Sequence, residues 1–266
     1  MPGGVCALMN DAFALGRHIT VELSGCDPAL IADSKAVEQA LLDAAKASGA
    51  HIIESSFHYF APQGVSGFVI ISESHFSIHT WPEYDYAAVD VFTCGDSISP
   101  FVGIEKLKKS LRAQDALISS DMWRGTSFNY TAKIAERDNS AAGNVSNDLE
   151  KLFISAQPYG ISCSIDLSTC TGEEYGLSAQ CLKELASVMH CSSASPAVNE
   201  FEEGKITVVS VVNADSSIVI RRDRSSKSVH IDLFSRTYID PRVCATSALR
   251  IFGAKSYKIH PALRMA

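Results

Sequence analysis

The feature that most constrains this chain is that it repeats itself. The segment IDLSTC, Ile165 to Cys170, lies over VELSGC, Val21 to Cys26, and HIDLFSR, His230 to Arg236, lies over AVDVFTC, Ala88 to Cys94. Asp240-Pro241 stands where Ser99-Pro100 stands, each a capping residue before a proline that opens a helix. In the first half, apolar alternation predicts strands over 18–26 and 51–60, then three more between Gly67 and Cys94, and a last one over 116–122. Helices are predicted from Asp33 or Ser34 through Ser48 and from Ser99 through Leu111. The second half follows the same order, with strands at 161–168, 205–212, 216–221, 228–234 and 255–260 and helices at 177–190 and 241–252. A single unit of this order is an α+β layer, a mainly antiparallel sheet with helices on one face. The expected chain is two such layers forming an internal pseudo-dimer, an α/β/β/α sandwich. Its modules are residues 1–135 and 150–266, with the polar, small-residue stretch 136–149 as a linker.

The repeat is unequal. Asp215-Ser216 falls where Glu73-Ser74 falls, Arg221 at His79, Arg236 at Cys94 and Val208 near Ser66. The second copy is therefore expected to keep the sheet and lose the chemistry.

Composition narrows the function classes. The 46% hydrophobic content and near-zero mean hydropathy supply an ample core for 266 residues. No apolar run approaches the roughly 18 residues that a membrane helix requires, and the N-terminus does not read as a signal peptide, so the expectation is a cytoplasmic protein with no membrane partner. A net charge of −7 argues against nucleic acid. The eight cysteines show no CxxC pair and no zinc spacing, so they are expected to be reduced thiols with no metal bound.

Chemistry-bearing residues concentrate in Ser66 to Cys94, which holds Ser66, Glu73, Ser74, His79, Trp81, Glu83 and Cys94. On one strand Ser77, His79 and Trp81 share a face. An antiparallel meander is expected to gather Ser66, Ser74, His79 and Cys94. His51, His58 and His75 read as ordinary strand residues and are assigned no role.

The motifs GRH (16–18), FHYFAPQGVSG (57–67), SESHFSIHTWPE (72–83) and YAAVDVFTCG (86–95) resemble the pyruvoyl-dependent S-adenosylmethionine decarboxylases of bacterial and archaeal type. The likeness runs from about Gly16 to Arg112 and leaves the second copy outside it. It implies self-cleavage between Glu73 and Ser74 into chains 1–73 and 74–266, the second beginning with a pyruvoyl group made from Ser74. It implies that this ketone takes the substrate amine and accepts the electrons left by CO₂. It implies Cys94 as the proton donor, His79 as the base that assists processing and Ser66 as the serine that hydrogen-bonds the processing intermediate. Phe60 and Trp81 are implied to lie near the adenine and sulfonium, where a ring face attracts a cation, and Glu83 to accept the ribose hydroxyls. The implied substrate is S-adenosylmethionine, its product feeds spermidine synthesis, and a homodimer is an open assembly. Two alternatives remain at this point: a decarboxylase of the same fold acting on arginine or ornithine, and a non-catalytic regulatory paralogue.

Overall fold

A computed structural model describes residues 16–72, 74–94, 97–124, 141–171, 179–188, 197–203, 206–212 and 216–265. The chain divides into two compact units, Met1–Phe128 and Asn129–Met265.

The first unit contains β1 (Gly16–Ser24), α1 (Pro28–Ala32), α2 (Ser34–Ala47), β2 (Ile52–Tyr59), β3 (Val65–Ile71), β4 (Ser74–Trp81), β5 (Tyr86–Thr93), α3 (Pro100–Ser110) and β6 (Asp115–Arg124). Its strands form one antiparallel sheet in the order β2-β3-β4-β5-β1-β6. Asp33 starts α2 by accepting hydrogen bonds from the amides of Lys35 and Ala36. Pro100 does open α3, but the Ser99 side chain makes no capping hydrogen bond. Val37, Leu41 and Ala44 on α2 and Ile104 and Leu107 on α3 pack with Ile19, Val21, Val69, Ile71, Phe76, Ile78, Val89 and Val91. These residues alternate along each strand and the register aligns them across strands, so the helices cover one face of the sheet. Truncating a residue such as Leu41, which is fully buried there, costs about 2–5 kcal/mol.

The second unit contains α4 (Ala141–Ala156), β7 (Gly160–Ser168), α5 (Ala179–Val188), β8 (Ala197–Glu203), β9 (Ile206–Val212), β10 (Ser216–Asp223), β11 (Ser228–Ser235), α6 (Pro241–Ile251) and β12 (Ser256–Arg264). Its sheet runs β8-β9-β10-β11-β7-β12, the first sheet's order strand for strand. The registers also superpose. His75↔Phe92 and His18↔Phe92 recur as Ser217↔Phe234 and Ser162↔Phe234, and Gly16↔Arg124 recurs as Gly160↔Arg264. The second half is thus a copy of the first in topology and pairing.

Two expectations change. Helix α4 occupies much of the stretch read as a linker, 136–149; residues 136–140 lie outside the described ones. Strand β8 went unpredicted and fills the place that β2 fills in the first unit. Among the described residues no helix is long and apolar enough to cross a membrane, and no group of ligating side chains could hold a metal ion. Cys26, Cys94, Cys163, Cys170 and Cys244 are all thiols.

Candidate active site

Because the helices take one face of the first sheet, side chains of opposite parity line the other. On that face stand Ser66 on β3, His75, Ser77, His79 and Trp81 on β4, Tyr86, Asp90 and Phe92 on β5, and His18, Thr20 and Glu22 on β1, all of them buried.

The meander brings some of the expected residues together. Ser66 pairs with His79 across β3 and β4, and Ser66 Oγ is hydrogen-bonded to His79 Nδ1 at 2.7 Å. The His79 ring lies 6.4 Å from the ring of Trp81, which in turn lies 5.3 Å from Tyr86. Phe60 is half-buried beside His58, with ring centroids 4.6 Å apart. Glu83 is exposed in the turn after Trp81, where its Oε2 accepts a hydrogen bond from Gln63 Nε2 at 3.4 Å. Phe60, Ser66, His79, Trp81 and Glu83 therefore occupy one end of the meander.

Ser74 and Cys94 occupy the other end. Ile71↔Ser74 is the last pair of the β3–β4 ladder, so Ser74 stands at the start of β4; Glu73 lies outside the described residues. The β4–β5 ladder reaches His75↔Phe92, one residue after Ser74 and two before Cys94. Five residues of strand separate Ser74 from His79, about 17 Å at 3.4 Å per residue. Ser74 also has the parity of Phe76 and Ile78, not that of His79. The expectation that one meander gathers all four residues is thus corrected: Ser66 and His79 meet, while Ser74 and Cys94 stand a strand's length away.

The Ser74 hydroxyl is 1% exposed and has no hydrogen-bond partner among the described residues. Burying a hydroxyl this way costs about 1–3 kcal/mol. Near it the sheet places groups that sequence reasoning passed over. His75 follows Ser74 and faces Phe92 edge-on at 6.2 Å. Arg124, 1% exposed, lies over the Phe92 ring at 4.8 Å and sets Nη1 3.3 Å from His18 Nδ1. His18 Nε2 is 3.5 Å from Asp90 Oδ1. The quoted motifs hold His18, His75, Asp90 and Phe92 without marking them as a cluster; Arg124 joins them through strand pairing across more than a hundred residues.

Gly16 fits here for a steric reason. A Cβ on it would sit 2.5 Å from the Phe92 ring, 2.7 Å from the Thr93 carbonyl oxygen and 3.0 Å from Cys94 Sγ. The absence of a side chain at Gly16 lets Cys94 and Phe92 close over β1.

In the second unit the register sets Val208 and Arg221 opposite one another, where Ser66 and His79 pair in the first. Asp215 lies outside the described residues, and Arg236 is exposed just past β11.

Comparison with known proteins gives three kinds of likeness. A family model described as S-adenosylmethionine decarboxylase matches residues 17–125. An S-adenosylmethionine decarboxylase proenzyme of Caldanaerobacter subterraneus subsp. tengcongensis is 48% identical over 122 residues, 46% of this chain and 97% of its own length. One of Clostridium tetani is 50% identical over 111 residues, 42% of this chain and 87% of its own. The crystal structure of the adenosylmethionine decarboxylase from Aquifex aeolicus is 32% identical, covers 44% of this chain and 95% of that one, and has a TM-score of 0.40.

Proposed function

The chain belongs to the S-adenosylmethionine decarboxylase family, and from that premise we propose that its first unit is a self-processing decarboxylase centred on Ser74. The observation that carries this reading is the Ser74 hydroxyl, buried at the start of β4 without a hydrogen-bond partner among the described residues, inside the segment matched to the family. A hydroxyl left unsatisfied at a strand end fits a group that is consumed by reaction.

Processing starts when Ser74 Oγ attacks the Glu73 carbonyl, exchanging the amide for an ester. Loss of the Ser74 α-proton then expels the upstream chain as a carboxylate. The dehydroalanine left at position 74 takes up water and releases ammonia. The resulting pyruvoyl ketone supplies the electron sink for CO₂ loss from S-adenosylmethionine. Cys94, at the same end of the sheet as Ser74, holds the proton returned to the substrate carbon. Trp81 and Phe60 offer ring faces to the sulfonium and adenine, and Glu83 offers carboxylate oxygens to the ribose. No metal takes part in this scheme. Retention of Phe60, Trp81 and Glu83 favours S-adenosylmethionine over arginine or ornithine.

The Ser66–His79 pair serves as the processing base, with the Ser66 hydroxyl orienting the imidazole. About 17 Å of strand keeps that pair from the Ser74 of its own module. It therefore acts on the Ser74 of a second module, and the catalytic assembly is a homodimer at least. The second unit cannot stand in, because Val208 and Arg221 replace the pair.

Intact mass under denaturing conditions tests the reading. The expected result is two chains, residues 1–73 and residues 74–266, the larger lacking a free amino terminus. A Ser74→Ala variant should remain whole and release no CO₂ from carboxyl-labelled S-adenosylmethionine. A wild-type chain that stays unbroken while decarboxylating the substrate would overturn the scheme.

A further inference from the structure

The Trp81 ring is held by a chain of contacts that ends three strands away, on β6. Tyr86 opens β5 directly opposite Trp81 on β4, and the two ring centroids stand 5.3 Å apart. Both residues are buried, so the Tyr86 ring limits how Trp81 can turn. The Tyr86 hydroxyl donates to Glu22 Oε2 on β1. The other oxygen, Glu22 Oε1, accepts from Ser119 Oγ at 2.7 Å, and Ser119 Oγ lies 2.8 Å from Thr20 Oγ1. A carboxylate out of water needs donors on its oxygens, and the buried Glu22 has one on each.

Ser119 reaches Glu22 because the edge strand is irregular. Thr20 pairs with Ser120 and Val21 with Ile118, so Ser119 is the extra residue of a β-bulge. The bulge turns its side chain to the helix-free face, which carries Thr20 and Glu22.

The second copy separates what this sheet needs for folding from what it does not. Gly160, Phe234 and Arg264 stand where Gly16, Phe92 and Arg124 stand, and a Cβ on Gly160 would strike the Phe234 ring as one on Gly16 would strike Phe92. That corner is kept. The Trp81 end is not. Asp223 and Ser228 face one another in place of Trp81 and Tyr86. Asp166, in the place of Glu22, is bonded to His230 Nδ1 at 2.8 Å instead of to a tyrosine. Strands β7 and β12 pair from Gly160↔Arg264 to Ser168↔Ser256 without a bulge. A sheet of the same order and register therefore forms without the ring pair, the tyrosine–carboxylate bond or the bulge.

We propose that Tyr86 is a positioning residue for substrate binding: held by Glu22 and Ser119, it fixes the Trp81 ring that meets the sulfonium, and so sets affinity for the cationic substrate more than the rate of its decarboxylation. The assignment rests on Trp81 being a substrate contact. Tyr86 acts through Trp81, and Glu22 and Ser119 act through Tyr86.

Steady-state decarboxylation of carboxyl-labelled S-adenosylmethionine by the full processed protein tests it. Tyr86→Phe keeps the ring and removes the hydroxyl. It should still cleave into two chains, and its KM should rise about three- to tenfold, the size of one lost hydrogen bond. Its kcat should change less than its KM, the mark of lost binding rather than lost chemistry. Ser119→Ala, at an exposed edge position, should move KM the same way by a smaller factor, and it keeps the test decisive if Tyr86→Phe does not fold. The chain has two tryptophans, so Trp123→Phe leaves Trp81 as the sole fluorophore of that type. In that background Tyr86→Phe should shift the emission to longer wavelength and increase quenching by acrylamide. The same measurement on uncleaved Ser74→Ala chains needs no activity, which separates failure of this assignment from failure of the decarboxylase reading. An unchanged KM, a loss carried mainly by kcat, or an unchanged Trp81 emission would refute the role given to Tyr86.

Discussion

The Ser66 hydroxyl and the His79 imidazole meet at 2.7 Å, at the far end of β4 from Ser74. If the pair deprotonates Ser74, it does so in another module. Chains carrying His79→Ala and chains carrying Ser74→Ala should each fail to cleave when expressed alone. Co-expressed, the His79→Ala chain should be cut, because its intact Ser74 receives His79 from the other chain. Mass spectrometry distinguishes the two by their substitutions. Cleavage of His79→Ala in isolation, or none in the mixture despite a mixed dimer, would refute this division of labour.

Gly16 and Gly160 make a matched pair for separating chemistry from packing. A Cβ at Gly16 collides with Phe92, Thr93 and Cys94; a Cβ at Gly160 collides at 2.6 Å with the Phe234 ring and with the Ser235 carbonyl oxygen. Each substitution to alanine should cost about 1–3 kcal/mol by overpacking. Only Gly16→Ala displaces a proposed proton donor. Chemical denaturation should show similar losses for both, while single-turnover decarboxylation at a temperature where both are folded slows only for Gly16→Ala. Equal slowing would remove Cys94 from the mechanism.

Local sequence signals carried the strands, the principal helices and the repeat, because apolar periodicity is written within a few residues: Ile19, Val21 and Leu23 announce β1 unaided. What failed had two causes, weak local signals and distance. Strand β8 is acidic, AVNEFEE, with a weak period-two pattern. Helix α4 begins in AAGNVSND, where glycine and asparagine mask its helical character. The grouping of Ser66, Ser74, His79 and Cys94 into one site overlooked strand rise: neighbours in a motif become opposite ends of a strand. The approach of Arg124 to His18 and Phe92 was invisible for the converse reason, since only register joins residues so far apart in sequence.

The repeated cysteines Cys26 and Cys170 are packing groups: Cys26 lies within the first core and Cys170 packs against the second. Burial, reinforced by the charge of Asp85, pushes the Cys26 thiol up to about 12. Burial pushes Cys170 up to about 11, against the pull of Arg222 and the Val229 amide. The thiolate is the reactive form, and at pH 8 a group titrating near 12 is ionised in only about one part in ten thousand. Iodoacetamide at pH 8 should therefore leave Cys26 unmodified in the folded chain and label it once denaturant is added. Labelling of native Cys26 at the rate of a small-molecule thiol would contradict its burial.

Arg17 and Asp121 tie β1 to the edge strand β6 through two hydrogen bonds, Nε to Oδ1 at 2.7 Å and Nη2 to Oδ2 at 2.5 Å. The guanidinium also lies over the rings of Phe101 and Trp123, at 4.8 and 5.5 Å from their centroids. The hydrogen bond from Arg17, more than its charge, lowers the Asp121 pKa. A carboxyl lowered in the folded state stabilises the fold above its unfolded pKa, near 3.9, and loses that contribution as pH falls through the folded value. The pair is about one-third exposed, so screening keeps its worth to roughly 0.5–1 kcal/mol. Asp121→Asn should lower the unfolding free energy at pH 7, read from chemical denaturation, by that amount, and the gap to wild type should close as pH drops below about 4. High salt should narrow the gap at pH 7 as well. A gap unchanged between pH 7 and pH 3 would assign the effect to packing rather than to the ion pair.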